Sequence, residues 1–476
     1  MIDAAPATRL RAERTSLGTC VRPRFGKRAS RSVWVAVFAL AAVAVGSHAV
    51  AAPAPATRGL TSSAVTSSKG AADRPAAGEV GGAALAIHAA KLLTVAPDGL
   101  QYIDRGTILV RDGRIQSVGS RASIDVPADA EQRELGELWV MPGMVDLHSH
   151  IGGSMDINDA VYQASPELRA SVSTVPANRA MRMALAAGVT TVLFIPGSAT
   201  TMGGQGVLLK TGLAHYEAAR IRDPGALKVA QADNPARWGY GMGRIFLNWS
   251  IDEISRRGVA YALRWQAYER GEGEKPAFDA QYEVFRPLLR GEIRVVTHTQ
   301  VAQVVLSSMR ILTGQNSLPM FIAHGEFDAT KIAHIAQALG VPAILGPRNM
   351  SSQVKSRGVD HDGRLEGLAW AYQQAGHTAI GFNTDAPVLP GEELFLQASV
   401  AVRLGFCDDA LDTVRGLTIV PAQTAGIADR VGSLEPGKDA DLVALSGHPA
   451  DPRTRVEAVW IEGQLLYDAA RDGRRF

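Results

Sequence analysis

The sequence has 476 residues, of which 46% are hydrophobic and 20% are charged, a composition that excludes an intrinsically disordered chain and is typical of a folded globular protein. Its 49 basic and 47 acidic side chains give a formal net charge of +2, so no excess of positive charge favours a nucleic acid as partner. Because single hydrophobic cores stop growing at roughly 250–300 residues, the length indicates one large domain and something smaller beside it.

The N-terminal segment has the order of parts that is found in a secretory signal. A stretch rich in Arg and Lys at 22–31 precedes an apolar run at 33–45, and Ala-Val-Ala at 49–51 fits a small-residue cleavage site. The apolar run is shorter than the roughly 20 residues that a membrane-spanning helix needs. We therefore predict a signal peptide at 1–52, a secreted or periplasmic destination, and no membrane span after cleavage. An uncleaved N-terminal anchor is the alternative.

The next segment and the two cysteines carry no predicted chemistry. Residues 53–82 are rich in Ala, Pro, Ser, Thr and Gly without an apolar period, which predicts a disordered linker. Cys20 would leave with the signal peptide, so the mature chain would hold one thiol, that of Cys407, and no intramolecular disulfide. Cys407 has no basic neighbour in the sequence, and we expect it to pack rather than to react.

Short segments typical of β-strands follow, and segments with a similar sequence pattern occur again at the end of the chain. The runs ALAIHAAKLLTV, GTILVRDGRIQSVG and ELWVMPG lie within 83–140, with RDGR as the turn of a hairpin. The segment 429–476 contains ADLVALSG and RVEAVWIEGQLLYD, again with a glycine at a turn. Two β-rich ends that flank a different middle predict one small sheet domain built from both.

Between residues 141 and 428 the sequence alternates candidate strands and helices. The candidate strands cover 144–148, 189–194, 206–210, 227–231, 293–298, 319–324, 342–347 and 378–385. Apolar residues at helical spacing lie between several of them, as in ATKIAHIAQALG. Near-continuous apolar strands joined by helices indicate a buried parallel sheet. Eight such strands in this order predict an α/β fold of the (β/α)₈ TIM-barrel type.

Side chains of the kind that bind metal ions fall at the ends of these strands. They are His148 and His150 in the first strand, His298 in the fifth, His324 in the sixth and Asp385 in the eighth. The carboxyl-terminal strand ends of a (β/α)₈ barrel meet at one mouth, where the active site lies. A lone histidine at a strand end is more often structural, so the prediction of a metal site depends on the whole set.

The chemistry of such a site follows from these residue types. Side chains two apart on an extended strand point to the same side, so His148 and His150 can bind one ion together. Imidazole and carboxylate ligands suit one or two Zn²⁺ ions, with Mn²⁺ or Fe²⁺ as alternatives. A bound ion lowers the pKa of its water to about 7. Asp385 can then take a proton from that water and pass it to a leaving amine. His324 is predicted to be a ligand or an immediate neighbour, and it is predicted with Asp385 to be a catalytic residue.

Three further positions are weaker candidates. Lys228, on the fourth strand, is a candidate for a carboxylated lysine that bridges two ions; the alternatives are a lysine at the opposite strand end, solvated or capping a helix, and a bridge through Asp233. Arg348 and Asn349 lie just past the seventh strand and could hold a substrate carboxylate. A surface arginine on a loop is the competing interpretation.

Several motifs are similar to those of the amidohydrolase superfamily, in particular its imidazolonepropionase-like group, which includes metal-dependent dipeptidases of the prolidase kind. The similarity covers about residues 84–470. The motifs are WVMPGMVDLHSHIG, AAGVTTVLFIPGS, VVTHTQ, FIAHGE, GFNTDAPVLPG and VGSLEPGKDADLVAL. After the fourth strand the sequence departs from the related subgroup, because QADNP stands where Gly-Glu-Asn-Pro is usual.

The resemblance implies a (β/α)₈ barrel with a β-sandwich-like companion domain made from both chain ends. It also implies hydrolysis of an amide or other C–N bond by metal-activated water, and a possible homodimer. The ligand roles that it implies fall on His148, His150, His298, His324 and Asp385.

We therefore expect a metal-dependent amidohydrolase whose partner is a small molecule, either dipeptide-like or a cyclic amide. A deaminase or an imidazolone-type cyclic amide hydrolase would use the same site for another reaction. A metal-free binding barrel is a further alternative, and the complete set of candidate ligands argues against it.

Overall fold

The computed structural model describes residues 84–97, 101–153, 157–231, 233–238, 243–351 and 365–476. The predicted signal peptide and linker, at 1–52 and 53–82, lie outside these residues. Among the helices of the described ranges, none combines the length and the apolar character that crossing a lipid bilayer demands.

The described residues form strands and helices in alternation through the middle of the chain. The strands are β1 (Leu85–Leu93), β2 (Tyr102–Arg111), β3 (Arg114–Ser120), β4 (Glu131–Glu134), β5 (Trp139–Pro142), β6 (Met144–Ser149), β7 (Val189–Phe194), β8 (Met202–Lys210), β9 (Arg220–Ala230), β10 (Arg294–Thr299), β11 (Met320–His324), β12 (Ala343–Leu345), β13 (Met350–Ser351), β14 (Glu366–Gly367), β15 (Ile380–Phe382), β16 (Leu442–Leu445), β17 (Val456–Ile461) and β18 (Gln464–Asp468). The helices are α1 (Arg179–Ala186), α2 (Tyr216–Ala219), α3 (Asp233–Trp238), α4 (Arg244–Glu269), α5 (Phe285–Leu289), α6 (Ala302–Met309), α7 (Ala333–Ala338), α8 (Leu368–Gln374), α9 (Leu394–Arg403), α10 (Asp412–Leu417), α11 (Ile419–Ala425) and α12 (Ala469–Asp472).

One eight-stranded sheet joins the two ends of the described chain, as the similar strand-like sequence patterns of those ends predicted. Its order is β18-β17-β16-β5-β1-β2-β3, with β4 beside β1. The antiparallel pairing of β5 with β16, in which Val140 faces Ala444, connects the N-terminal strands to the C-terminal ones. The predicted hairpin is also confirmed, because Asp112 and Gly113 between β2 and β3 have φ angles of 53° and 75°, the left-handed pair that a tight hairpin turn requires.

A second eight-stranded sheet forms a nearly closed barrel, in the order β15-β12-β11-β10-β9-β8-β7-β6. Each of the eight candidate strands of the middle segment corresponds to one of its strands. The two edges approach each other where Ser149 forms a parallel bridge with Ala386 and the backbone N–H of His150 donates to the Ala386 carbonyl at 2.8 Å. This contact brings the ends of the first and last barrel strands together.

The prediction of a wholly parallel barrel sheet is wrong for one strand. Strand β8 runs antiparallel to both β7 and β9. The connection from β7 to β8, residues 195–201, is far shorter than the dozen or more residues that a parallel crossover needs, so β8 can pair only as a hairpin partner. The strand also begins at Met202 rather than at residue 206.

The barrel interior is packed with apolar side chains. At least one residue from each of seven strands belongs to a single buried cluster, which includes Val145, Leu193, Leu208, Ala226, Val296, Phe321 and Ile344. Because alternate residues of a strand share a face, Lys228 and His298 follow Ala226 and Val296 on this inner face. They lie nearer the carboxyl-terminal ends of β9 and β10.

A buried ionic cluster connects the barrel to the C-terminal segment. Lys210, at the end of β8, has only 1% of its side chain exposed, and its Nζ lies 2.7 Å from Asp439, 3.0 Å from Asp441 and 3.1 Å from Glu462. Burial alone would lower the pKa of Lys210, but the three carboxylates outweigh that effect and raise it. The lysine is therefore charged and compensated at this junction.

Candidate functional site

Four of the predicted ligand residues form one buried group at the barrel mouth. They are His148 on β6, His298 on β10, His324 at the end of β11 and Asp385 beyond β15, and each contributes one ligand atom to a set in which all atoms lie within 4.8 Å of one another. The parallel strands that carry them end at the same edge of the sheet, so residues distant in sequence become neighbours.

The potential ligand atoms of this group point at one another. Nδ1 of His298 and Nε2 of His324 are 2.7 Å apart. Oδ1 of Asp385 lies 3.3 Å from Nε2 of His148, and its Oδ2 lies 3.9 Å from Nε2 of His324. The barrel therefore concentrates three imidazoles and one carboxylate around a single point.

His150 contacts the same carboxylate from one side. Its Nε2 lies 3.1 Å from Oδ1 of Asp385, and its Nδ1 lies 2.8 Å from the carbonyl oxygen of Ile195. His150 is not among the four residues whose ligand atoms converge, but it shares an acceptor atom with His148. The two histidines of the His-x-His motif thus face the same carboxylate, as their spacing predicted.

Lys228 completes the buried cluster. Its side chain is fully buried, and its Nζ lies 3.0 Å from Nε2 of His148. The competing interpretations, a solvated lysine or one that caps a helix, are wrong because β9 directs this side chain into the barrel. Asp233, the competing bridge, begins helix α3, but its side chain lies outside the described part of the structure.

Burial controls the protonation of the cluster. It lowers the pKa of His148 and His298 well below the usual value and that of His324 to about 4, so these imidazoles are neutral at pH 7. Burial also lowers the pKa of Lys228 to about 7, although Asp385 partly opposes this effect. Burial would raise the pKa of Asp385, but the nearby His148 and His324 hold it well below the usual value. Its carboxylate is therefore ionised.

This donor set fits a divalent metal ion. His324 Nδ1 lies 3.1 Å from the Gly346 carbonyl and His150 Nδ1 lies 2.8 Å from the Ile195 carbonyl, so both rings carry their proton on Nδ1 and present the lone pair of Nε2 to the cluster. Several lone pairs and a carboxylate that face each other across a buried space repel without a cation between them. Neutral imidazole nitrogen and carboxylate oxygen are ligands that Zn²⁺ accepts.

Two of these residues have an unusual backbone conformation. His324 has a φ of 80° and Asp385 a φ of 52°, a left-handed region that side chains other than glycine seldom adopt. Conformations of this kind cost on the order of 1–3 kcal/mol and cluster at functional sites, where the surrounding structure imposes them. The turn at each strand end thus directs the side chain toward the shared point at a cost in stability.

Sequence reasoning missed two residues that hold the cluster in place, Asp146 and Thr384. Oδ1 of Asp146 accepts the backbone N–H of His148 at 3.0 Å, and Oδ2 accepts the hydroxyl of Thr384 at 2.6 Å. Burial raises the pKa of Asp146 to about 7. This link joins the strand of His148 to the loop of Asp385. The available signal was sequence position, because Asp146 stands two residues before His148 and Thr384 stands directly before Asp385.

Substitution of Thr384 by Val tests this link. We expect Thr384→Val to weaken Zn²⁺ binding by about 10- to 100-fold, as loss of an outer hydrogen-bond partner usually does, and Thr384→Ser to restore it. The measurement is the Zn²⁺ dissociation constant in competition with a chelator. Thr418→Val is the matched control, because that buried hydroxyl donates to Val414 in a helix. Equal affinity in Thr384→Val and wild type would contradict the role.

The two weaker substrate-binding candidates, Arg348 and Asn349, differ in their exposure to solvent. Arg348 is exposed, which agrees with the competing interpretation of a surface arginine on a loop. Asn349 is fully buried, and neither side-chain amide atom has a hydrogen-bond partner among the described residues. A further residue that sequence reasoning missed is Asn234 on α3, whose Nδ2 lies 3.4 Å from Nε2 of His298. It belongs to the QADNP segment where the sequence departs from the related subgroup.

Comparison with known proteins relates the chain to several others. The model of the Amidohydrolase family matches residues 376–466. Amidohydrolase tasK of Hapsidospora irregularis is 26% identical over 411 residues, 76% of this chain, and the chain spans 40% of that longer protein. The Imidazolonepropionase of Rhizorhabdus wittichii is 27% identical over 74% of this chain and 91% of its own length.

A solved structure resembles the whole folded region. The crystal structure of an amidohydrolase from Thermotoga maritima superimposes with a TM-score of 0.70 and 30% sequence identity, over 81% of this chain and 100% of that one. The similarity therefore includes both the barrel and the sheet built from the two ends.

Proposed function

This chain belongs to the amidohydrolase family, the hydrolases that act on carbon–nitrogen bonds, and from that premise we propose that it uses a divalent metal ion to hydrolyse an amide bond in a small molecule. The observation that carries the proposal is the convergence of His148, His298, His324 and Asp385 within 4.8 Å. Zn²⁺ is the ion that this donor set favours, with Mn²⁺ or Fe²⁺ as alternatives.

A bound ion would polarise the substrate carbonyl and lower the pKa of water to about 7. The other steps belong to residues of the chain. Asp385, ionised and in contact with His148 and His150, accepts a proton from the attacking water as the new C–O bond forms. It then delivers that proton to the leaving nitrogen as the C–N bond breaks. His324, held by the Gly346 carbonyl, keeps a fixed ring orientation beside this carboxylate.

Lys228 extends the proposal to two ions. Its Nζ enters the cluster beside Nε2 of His148, where an ammonium would compete with a metal cation. Reaction of the neutral amine with carbon dioxide would form an N–C bond, release one proton and place a carboxylate at this point. We propose that this carboxylated lysine bridges two ions; with an unmodified Lys228 the site would hold one.

The proposed substrate is a dipeptide-like molecule or a cyclic amide. Relatives named as amidohydrolase and imidazolonepropionase support an amide substrate. The buried and unpartnered amide of Asn349 could pair with a substrate amide or carboxylate, since an unpaired buried polar group costs about 1–3 kcal/mol. Deamination and hydrolysis of an imidazolone-type ring are the alternative reactions, and a metal-free binding barrel is the non-enzymatic one.

The remaining parts of the proposal concern fold and destination. We propose that the barrel, with its one reversed strand, is of the (β/α)₈ type and that the second sheet is the β-sandwich-like companion domain. The N-terminal sequence supports export to the periplasm or the exterior, and a homodimer is proposed from the family resemblance.

Elemental analysis together with a substrate panel tests the proposed function. We expect the purified protein to contain Zn²⁺, two ions per chain if Lys228 is carboxylated, and Lys228→Ala to retain one at most. The panel compares dipeptides, N-acyl amino acids, imidazolones and amino-substituted rings, with free amino acid and ammonia measured separately. Amino acid release supports amide hydrolysis, and ammonia release supports deamination. A metal-free protein that is inactive on every class and is not activated by added Zn²⁺ would contradict the proposal.

A further inference from the structure

A cleft of about 460 Å³ lies between helix α1 and the C-terminal elements β18 and α12. This volume is within the roughly 300–1,000 Å³ of small-molecule sites. Its lining includes the apolar side chains of Met183, Leu185 and Leu466 and the guanidinium groups of Arg179, Arg182 and Arg475. We refer to it as the α1 cleft.

The α1 cleft is separate from the candidate metal centre. Leu185 accepts the backbone N–H of Gly188, and the Gly188 carbonyl accepts that of Met144, the first residue of β6. His148 lies four residues further along the same strand, about 13 Å away at 3.3 Å per residue. None of the residues that line the α1 cleft belongs to the candidate metal centre.

The charges that line the α1 cleft are unbalanced. Three arginines face one acid, Asp472, whose carboxylate is already bound by Arg471 at 2.6 Å. Among the described residues neither Arg179 nor Arg475 has an ion-pair partner, and the guanidinium of Arg182 donates to the Ala177 carbonyl. Like charges around one concave surface repel each other, and Asp472 is the one acid that lines the cleft beside the three arginines.

A second cleft on the same molecule offers an internal comparison. It also measures about 460 Å³ and is lined by Arg256, Arg257 and Arg264 on helix α4. There the single carboxylate of Glu253 lies 2.5 Å from Arg256 and 2.6 Å from Arg257, so two of the three cations share an ion-pair partner. Among the described residues, by contrast, no carboxylate lies within ion-pair distance of Arg179, Arg182 or Arg475 in the α1 cleft.

We propose that the α1 cleft binds a small organic anion, a carboxylate or phosphate group carried on an apolar body. Guanidinium groups form paired, charge-assisted hydrogen bonds with such anions. The apolar part of the lining, formed by Met183, Leu185 and Leu466, would bury the rest of the ligand. Because the site involves no residue of the metal centre, it adds a second binding function to the molecule.

Calorimetric titration of the full chain at low ionic strength tests this proposal. The probes are octanoate, inorganic phosphate and octanamide, which separate the charged group from the apolar body. We expect octanoate to bind more tightly than phosphate and octanamide to give no measurable binding. Arg182→Gln should weaken octanoate binding about tenfold or more. The matched control Arg256→Gln, in the compensated cleft, should leave it unchanged.

Three results would overturn the proposal. They are no binding of octanoate or phosphate at millimolar concentration, equal affinity for octanamide, and octanoate binding that survives in Arg182→Gln. The last result would place the anion elsewhere, for example at the metal centre, whose occupancy is followed separately by elemental analysis. If Arg182→Gln fails to fold, as judged by circular dichroism, the exposed Arg475→Gln provides the same test.

Discussion

Asp385→Asn is expected to lower kcat/KM by about 10²- to 10⁴-fold while the barrel remains folded, because the amide keeps the shape of the side chain but cannot accept and return a proton. The ionised carboxylate contacts His148, His150 and His324 at 3.3, 3.1 and 3.9 Å, so the substitution also removes a negative charge from the proposed metal site. The measurement is steady-state kinetics on a substrate identified by the panel.

A control variant and measurements of folding separate a loss of catalysis in Asp385→Asn from a loss of structure. Asp129→Asn makes the same chemical change at an exposed residue and should leave kcat/KM unchanged. Circular dichroism and the thermal midpoint should show that Asp385→Asn retains its fold, and its zinc content should be measured in parallel. Activity within threefold of wild type in Asp385→Asn would mean that another group moves the proton.

Lys210→Met is expected to destabilise the folded chain by about 3–5 kcal/mol, because removal of one partner leaves buried charge without compensation. Asp439 and Asp441 are both nearly inaccessible to solvent, and each loses its contact with Nζ, at 2.7 and 3.0 Å. Methionine has a similar length, so loss of charge rather than loss of volume dominates. Arg430, 2.7 Å from Asp439, compensates only part of this cluster.

Urea denaturation followed by tryptophan fluorescence measures this effect as a shift of the unfolding midpoint at constant slope. The control is Lys331→Met, since Lys331 is 56% exposed and its nearest carboxylate oxygen lies 3.8 Å away; surface pairs of that kind contribute about 0–1 kcal/mol. A loss below about 1 kcal/mol in Lys210→Met would mean that the cluster does not hold the barrel to the C-terminal segment.

The family resemblance and the positions of the barrel strands were predictable from the sequence, and both predictions are confirmed. They depend on local information: runs of apolar residues, turn residues such as Asp112-Gly113, and the spacing of His148 and His150. The convergence of His298, His324 and Asp385 could also be predicted, because strand ends in such a barrel meet at one mouth. Their roles as ligands remain predictions that metal analysis will test.

By itself the sequence determined which segments form strands and which residue types lie at their ends, because both depend on neighbours a few positions apart. Only the tertiary structure decided the direction of β8, the burial of Lys228 against His148, the link from Asp146 to Thr384 and the pairing of Lys210 with distant carboxylates. These features join residues separated by tens to hundreds of positions. No local pattern records such a contact, because burial and pairing arise only when the strands assemble.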